Sequence, residues 1–270
     1  IEPLADKFHV VAIDLPGFGE SEKPPPSRYH YDPETFAEVV ADVIAALQLG
    51  RCHVLGHALG GTVALTLAAE HPELVDRLVL VAPLVFPSSL SLHTRILTLP
   101  VIGSLLFKQA LGRRVFHRFF QQRVYAPGHN VPSERIDSFF DAFNSPAARE
   151  GAYSVVRATL DTRPAVARLS RLKSPTLVVW GRADSVYSPQ DGQKLSRQIP
   201  NAHLEFIDSG HCPHEEQPER FIEHAKDSSS ANGMTPRTIN RFRKSRSAVF
   251  GSLVVFCLAT AAIVGPLLCS

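Results

Sequence analysis

Short β-branched, apolar runs alternate with amphipathic stretches in this chain, and this alternation limits its fold more than any other feature. The strand-like runs are residues 8–13, 52–55, 78–81, 176–180 and 203–207. Runs of this length and composition favour buried strands over helices. A helix is predicted from Asp32-Pro33 to Gly50, and a second from Thr62 to Glu70. The alternation indicates an α/β fold, a mostly parallel sheet flanked by helices.

The alternation stops between Leu84 and Leu172, where no strand-like run recurs. Segments 96–111, 114–123 and 133–143 have helical character instead. They predict a helical insertion, which divides the chain into an α/β core of residues 1–83 and 173–227 and a helical cap of residues 84–172.

The C-terminal segment predicts a different environment. Residues 228–246 form a basic linker with five Lys or Arg and, after Met234, no acidic residue, and residues 247–270 carry no charge. The apolar stretch 248–269 is long enough to cross a hydrocarbon core of ~30 Å as a helix. We therefore expect a C-terminal apolar helix that spans a membrane, with the preceding domain on the cytoplasmic side; without such an anchor the protein would be cytoplasmic. Alternatively, Met234 begins a leader-like segment from a separate reading frame.

Charge and cysteine content exclude several classes of protein. The net charge is +2, and the five basic residues of the tail account for it, since the remaining 23 basic residues face 26 acidic ones. A mildly acidic body argues against a nucleic-acid partner. The four cysteines show no CxxC spacing, so we expect neither a disulfide scaffold nor a zinc site, and no metal or other cofactor.

A nucleophile-elbow frame marks the candidate site. Gly56-His57-Ala58-Leu59-Gly60 lies between a strand and a helix, in the pattern Gly-x-nucleophile-x-Gly. Small residues are needed two positions either side because the central residue occupies a strained turn. Asp184 and His211 each follow a later strand, so both are expected at the carboxyl edge of the sheet, where α/β sheets bind ligands.

These motifs resemble the α/β-hydrolase fold family over roughly residues 8–226. The further matching segments are residues 14–21 (DLPGFGES), 180–184 (WGRAD) and 210–211 (GH). The resemblance is closest to the esterase, carbon–carbon hydrolase and epoxide-hydrolase-like branches, without selecting one. It implies hydrolysis of a small apolar, ester-like substrate under the cap. In that scheme residue 58 attacks, His211 moves the proton, Asp184 orients His211, and the Leu59 N–H stabilises the oxyanion.

Ala58 departs from this pattern, because alanine has no atom that can attack a carbonyl. It is either a natural loss or an introduced substitution. We expect a severely impaired or silent hydrolase that still binds ligands. One alternative is an enzyme in which His211 and Asp184 act alone as a general base, in lyase or cofactor-free oxygenase chemistry. The other is a membrane-tethered, non-catalytic binding module.

The N-terminal region departs from the family as well. The strands that precede the Asp14 strand in the family, and the His-Gly loop that supplies a second oxyanion donor, have no counterpart before it. The chain is therefore expected to be a fragment or a truncated reading frame. In the family, one of these strands lies in mid-sheet between the Asp14 strand and the elbow strand. In this chain a gap is therefore expected at that position.

Overall fold

The computed structural model of the protein describes residues 2–86, 107, 112–230 and 253–259. Its strands are β1 (His9–Ile13), β2 (Cys52–Ala58), β3 (Val75–Val81), β4 (Thr176–Gly181), β5 (Ala202–Ile207) and β6 (Leu253–Ala259). Its helices are α1 (Glu2–Ala5), α2 (Pro33–Ala46), α3 (Leu59–Glu70), α4 (Arg113–Phe119), α5 (Ser133–Phe143), α6 (Pro146–Ala158), α7 (Arg163–Arg168), α8 (Pro189–Gln198), α9 (Pro213–Glu216) and α10 (Pro218–Ser230). A π-helical turn, Phe120–Val124, follows α4, and a 3₁₀ turn, Leu169–Arg171, follows α7.

The described strands form a parallel sheet in the order β1-β6-β2-β3-β4-β5. Successive residues of a strand bury their side chains on opposite faces. In β3, Leu78 and Leu80 join the larger core beneath α2, α3 and α8, whereas Val79 and Val81 join a smaller core with Leu4 of α1. A sheet covered on both faces requires strands that are apolar throughout. The predicted α/β architecture is confirmed.

The position between β1 and β2 is occupied, and the expected gap is not found. Strand β6 lies there, paired in parallel with β1 from His9↔Leu253 to Ile13↔Cys257 and with β2 from His53↔Val254 to Ala58↔Ala259. The prediction of a C-terminal apolar helix is therefore wrong for residues 253–259. A strand flanked on both sides satisfies its backbone groups within the sheet, and an apolar segment suits that place as well as it suits a bilayer.

The rest of the segment 247–270 lies outside the described residues, as does most of the predicted cap helix 96–111. None of the helices in the described ranges combines the length and apolarity that crossing a bilayer requires.

The cap connects β3 to β4 and consists, where described, of α4–α7 with their two short turns. The helix predicted over 114–123 is α4 continued by the π-helical turn. The insertion is helical as expected, while the boundaries at residues 84 and 172 stay predictions.

A capping side chain fixes the start of α2, and ion pairs between distant residues hold the cap on the core. Asp32 caps α2 by accepting the Thr35 N–H at 2.7 Å. At the far end of the cap, Arg168 binds Glu34 at 2.9 Å and Glu70 at 2.8 Å. These ion pairs attach the end of the cap to α2 and α3.

Candidate active site

The elbow residue Ala58 has the backbone conformation that its motif predicts. Its φ is 50° and its ψ is −115°, a region that L-residues rarely adopt and that costs about 1–3 kcal/mol. A Cβ on Gly56 would lie 2.1 Å from the Gly60 carbonyl oxygen, so strand and helix meet too closely for any side chain at position 56. The strained turn is therefore retained although its side chain is a methyl group.

Leu59 is the first residue of α3 and follows the elbow directly. The N–H groups of a helix's first turn have no acceptor within the helix and point towards its N-terminus. The Leu59 N–H lies at that terminus, and its role as an oxyanion donor stays a prediction.

The structure brings Asp184 and His211 together, as the sequence predicts. Asp184 follows β4, His211 follows β5, and the His211 Nδ1–H donates to Asp184 Oδ2 at 2.8 Å. The other carboxylate oxygen accepts the N–H groups of Val186 at 2.8 Å and Tyr187 at 3.0 Å. Both side chains are fully buried. Three N–H donors on its oxygens hold the carboxylate in place, where it orients the imidazole.

Two glycines allow these loops to approach. A Cβ on Gly181 would lie 1.8 Å from the Gly210 carbonyl oxygen, and one on Gly210 would lie 2.5 Å from the backbone nitrogen of Ala126. Glycine is required at both positions because the backbone of Gly181 contacts that of Gly210, and the backbone of Gly210 contacts that of Ala126.

The remaining nitrogen of His211 is available for chemistry. Among the described residues, Nε2 contacts no hydrogen-bond partner, and it is buried. Because Nδ1 carries the proton that binds Asp184, Nε2 of the neutral ring holds a lone pair. A buried, unpartnered lone pair supported by a carboxylate is the arrangement of a general base.

His57, to which no role is assigned from the sequence, lies at the site. Its Nε2–H donates to the backbone carbonyl of His211 at 2.9 Å, and the two ring centroids are 4.6 Å apart. Burial and the neighbouring His211 and His214 hold the pKa of His57 well below its usual value. His57, the neighbour of Ala58, is thus a neutral hydrogen-bond donor that links the elbow to the loop that carries His211.

The other neighbours of His211 are aromatic or thiol groups. The Tyr187 ring lies edge-on to it, with centroids 5.0 Å apart. Burial raises the pKa of Cys212 well above its ordinary value, with Glu215 and Glu216 contributing, so its thiol stays protonated and is a poor nucleophile. Cys212 therefore does not replace the side chain missing at position 58.

Comparisons with known proteins agree with this geometry. Residues 1–218 match the family described as alpha/beta hydrolase fold. An uncharacterized protein of Mycobacterium tuberculosis is 31% identical over 237 residues, covering 82% of this chain and 67% of its own length. The 2-hydroxymuconate semialdehyde hydrolase of Pseudomonas putida is 30% identical over 222 residues, covering 78% and 73%. The structure of a thermophilic esterase from Thermogutta terrifontis superposes with a TM-score of 0.64 at 26% identity, covering 79% and 76%.

Proposed function

Because this chain belongs to the α/β-hydrolase fold family, we propose that its site binds a small apolar, ester-like substrate beneath the cap, with nucleophilic hydrolysis severely impaired by Ala58. One observation carries the proposal: Ala58 ends its strand in the strained elbow conformation, and His211, hydrogen-bonded to Asp184, has no partner for its Nε2 among the described residues. These features support a triad site from which the attacking atom is missing.

Each residue has a defined part in the reaction that a hydroxyl at position 58 would permit. His211 Nε2 would take the hydroxyl proton as the oxygen attacks the ester carbonyl, and would then return that proton to the leaving alkoxide. Asp184 would hold the Nδ1–H tautomer, and the Leu59 N–H would stabilise the oxyanion. With a methyl group instead, no acyl-enzyme forms, and the expected loss in turnover is on the order of 10⁴–10⁶.

The names of two similar proteins support a hydrolytic reaction. The Pseudomonas putida relative is named as a hydrolase of a semialdehyde, and the superposed structure is titled an esterase. An ester is hydrolysed at its carbonyl carbon, which is the reaction that a histidine base next to an elbow serves.

A second candidate function retains activity without a nucleophilic side chain. His211 Nε2, supported by Asp184, would remove a proton directly from an acidic substrate carbon or from a water molecule. Nε2 is buried and has no hydrogen-bond partner in the described part of the chain, which favours this candidate, since a base needs a free lone pair and Ala58 has no side-chain donor to occupy it.

The first candidate is tested by the variant Ala58→Ser, assayed on p-nitrophenyl esters of increasing acyl length. We expect kcat/KM to rise by about 10³-fold or more over the parent chain. Ala58→Gly is the matched control, because it changes the elbow without adding a hydroxyl and should give no gain. A folded Ala58→Ser variant without increased turnover would contradict the proposal.

The second candidate is tested in the parent chain. Any activity on esters or acidic carbon substrates should follow a single ionisation in its pH–rate profile and disappear in His211→Ala. If activity persists in that variant, His211 is not the base.

A further inference from the structure

Four consecutive cap residues contact the two loops that carry Asp184 and His211. We call this segment, residues 123–126, the cap strap. Arg123 exchanges two hydrogen bonds with Ser185: its Nη2 donates to the Ser185 carbonyl at 2.7 Å, and the Ser185 hydroxyl donates to the Arg123 carbonyl at 2.9 Å. The backbone N–H of His211 donates to the Val124 carbonyl at 2.7 Å. The cap strap therefore contacts both the loop that carries Asp184 and the loop that carries His211, which we call the histidine loop.

Glu216 completes the connection with a single buried carboxylate. Its Oε1 accepts the Gly210 N–H at 2.8 Å, and its Oε2 accepts the Ala126 N–H at 2.9 Å. One oxygen thus holds the residue before His211, and the other holds the end of the cap strap. Next to it, Glu215 accepts the Tyr125 hydroxyl at 2.8 Å.

The close approach of the two backbones depends on Gly210. A Cβ there would lie 2.5 Å from the Ala126 nitrogen and 2.7 Å from both the Tyr125 carbonyl carbon and the Val124 carbonyl oxygen. The cap strap rests directly on the histidine loop, with no room for a side chain between them.

The cap strap is preceded by the π-helical turn Phe120–Val124, which the Tyr125 N–H closes by donating to the Phe120 carbonyl at 3.2 Å. Such turns are uncommon and are found frequently at functional sites. Here the widened turn ends where the Val124 carbonyl meets the His211 N–H.

From these contacts we infer that Glu216 and the cap strap are positioning elements for His211, so that release of the cap strap and loss of the aligned His211–Asp184 pair are one event. The inference rests on the proposed function in that it concerns the same acid–base pair. His211 is completely buried while the cap strap is bound, and its loop is held by the Glu216 carboxylate. The cap then holds His211 in position against Asp184 as well as covering the substrate.

The variant Glu216→Gln tests this inference with little change in shape. An amide has one acceptor oxygen where the carboxylate has two, so one of the two backbone N–H groups faces an NH₂ donor. We expect amide hydrogen exchange at Ala126 and His211 to accelerate together by about 10-fold or more. The downfield proton resonance of the His211 Nδ1–H should broaden as the imidazole gains access to water.

Glu70→Gln is the matched control, because it weakens an attachment at the far end of the cap, the ion pair with Arg168. That variant should leave exchange at His211 and the Nδ1–H resonance unchanged. If Glu216→Gln does not fold, Ser185→Ala removes one exposed hydrogen bond of the cap strap and should give a smaller change in the same direction.

Three outcomes overturn the inference: exchange that accelerates at Ala126 but not at His211, an Nδ1–H resonance that stays sharp while the cap strap opens, or equal effects in Glu70→Gln. None of these measurements needs turnover, so a failure of Ala58→Ser to hydrolyse esters would leave them interpretable.

Discussion

Acidification should destabilise this fold before its carboxylates titrate, because histidines are buried as neutral groups around the site. Burial lowers the pKa of His214 to about 4, despite the nearby Glu215, and the neighbouring histidine His211 also contributes. Burial likewise holds the pKa of His57 well below its usual value. The centroids of the His57 and His214 rings are 4.8 Å apart, so two charges there would repel each other, and burial keeps both rings neutral in the folded chain.

The sign and size follow from proton linkage. A histidine with a depressed folded pKa contributes its full stability above the unfolded value near 6.5, and that stability is lost as the pH falls towards the folded pKa. Between pH 6.5 and 5 only the unfolded chain binds the His214 proton, at about 1.4 kcal/mol per pH unit. The loss from His214 at pH 5 is therefore at most about 2 kcal/mol, and His57 adds to it in the same direction.

The assay is urea unfolding followed by circular dichroism at about pH 7.5, 6 and 5. His214→Gln, which stays neutral throughout, should remove most of the His214 contribution to the slope. His71→Gln should do the opposite, because a hydrogen bond with Glu38 raises the pKa of His71, which is therefore stabilising when protonated. A free energy of unfolding that stays constant over this range, or an unchanged slope in His214→Gln, would refute the reasoning.

Three further predictions follow from the fold and the site. Removing residues 247–270 should lower the free energy of unfolding by about 3 kcal/mol or more, because β1 and β2 lose the strand between them. If the truncation accelerates hydrogen exchange in α10 alone, the pairing of β6 with β1 and β2 is contradicted. Gly56→Ala should cost about 3 kcal/mol or more in a thermal melt, since its Cβ would clash with the Gly60 carbonyl. In the Ala58→Ser background, Asp184→Asn should reduce kcat by roughly 10³–10⁴ while KM changes little; an unchanged kcat would remove Asp184 from its assigned role.

The sequence predicts most of the site because its parts are local. Ala58 is the last residue of β2, and Asp184 and His211 lie in the loops after β4 and β5; parallel strands end at one edge of the sheet. The glycines around them are equally readable, since a backbone that approaches another backbone leaves no space for a Cβ. The strand pattern therefore places Asp184 and His211 at one edge of the sheet, and the family resemblance supplies the prediction that they pair.

The prediction that was wrong and the features that were not predicted all depend on contacts between distant segments. Uncharged apolar residues suit a membrane helix and a doubly covered strand equally, and only the vacancy between β1 and β2 distinguishes the two for residues 253–259. The link from Glu216 to Ala126 spans 90 positions, which no local pattern reveals. For His57, the signal was present: a histidine inside an apolar strand must find a buried partner, and the loop that ends in His211 supplies one.

The central claim is that position 58 lacks the attacking oxygen of a triad formed with His211 and Asp184, and active-site labelling tests it most directly. The Ala58→Ser variant is treated with an alkyl fluorophosphonate and its intact mass is measured. The account predicts one adduct per chain on the introduced side chain, suppressed in the double variant Ala58→Ser/His211→Ala and missing in the parent chain. A folded Ala58→Ser variant that takes no adduct, or labelling that does not depend on His211, would contradict it.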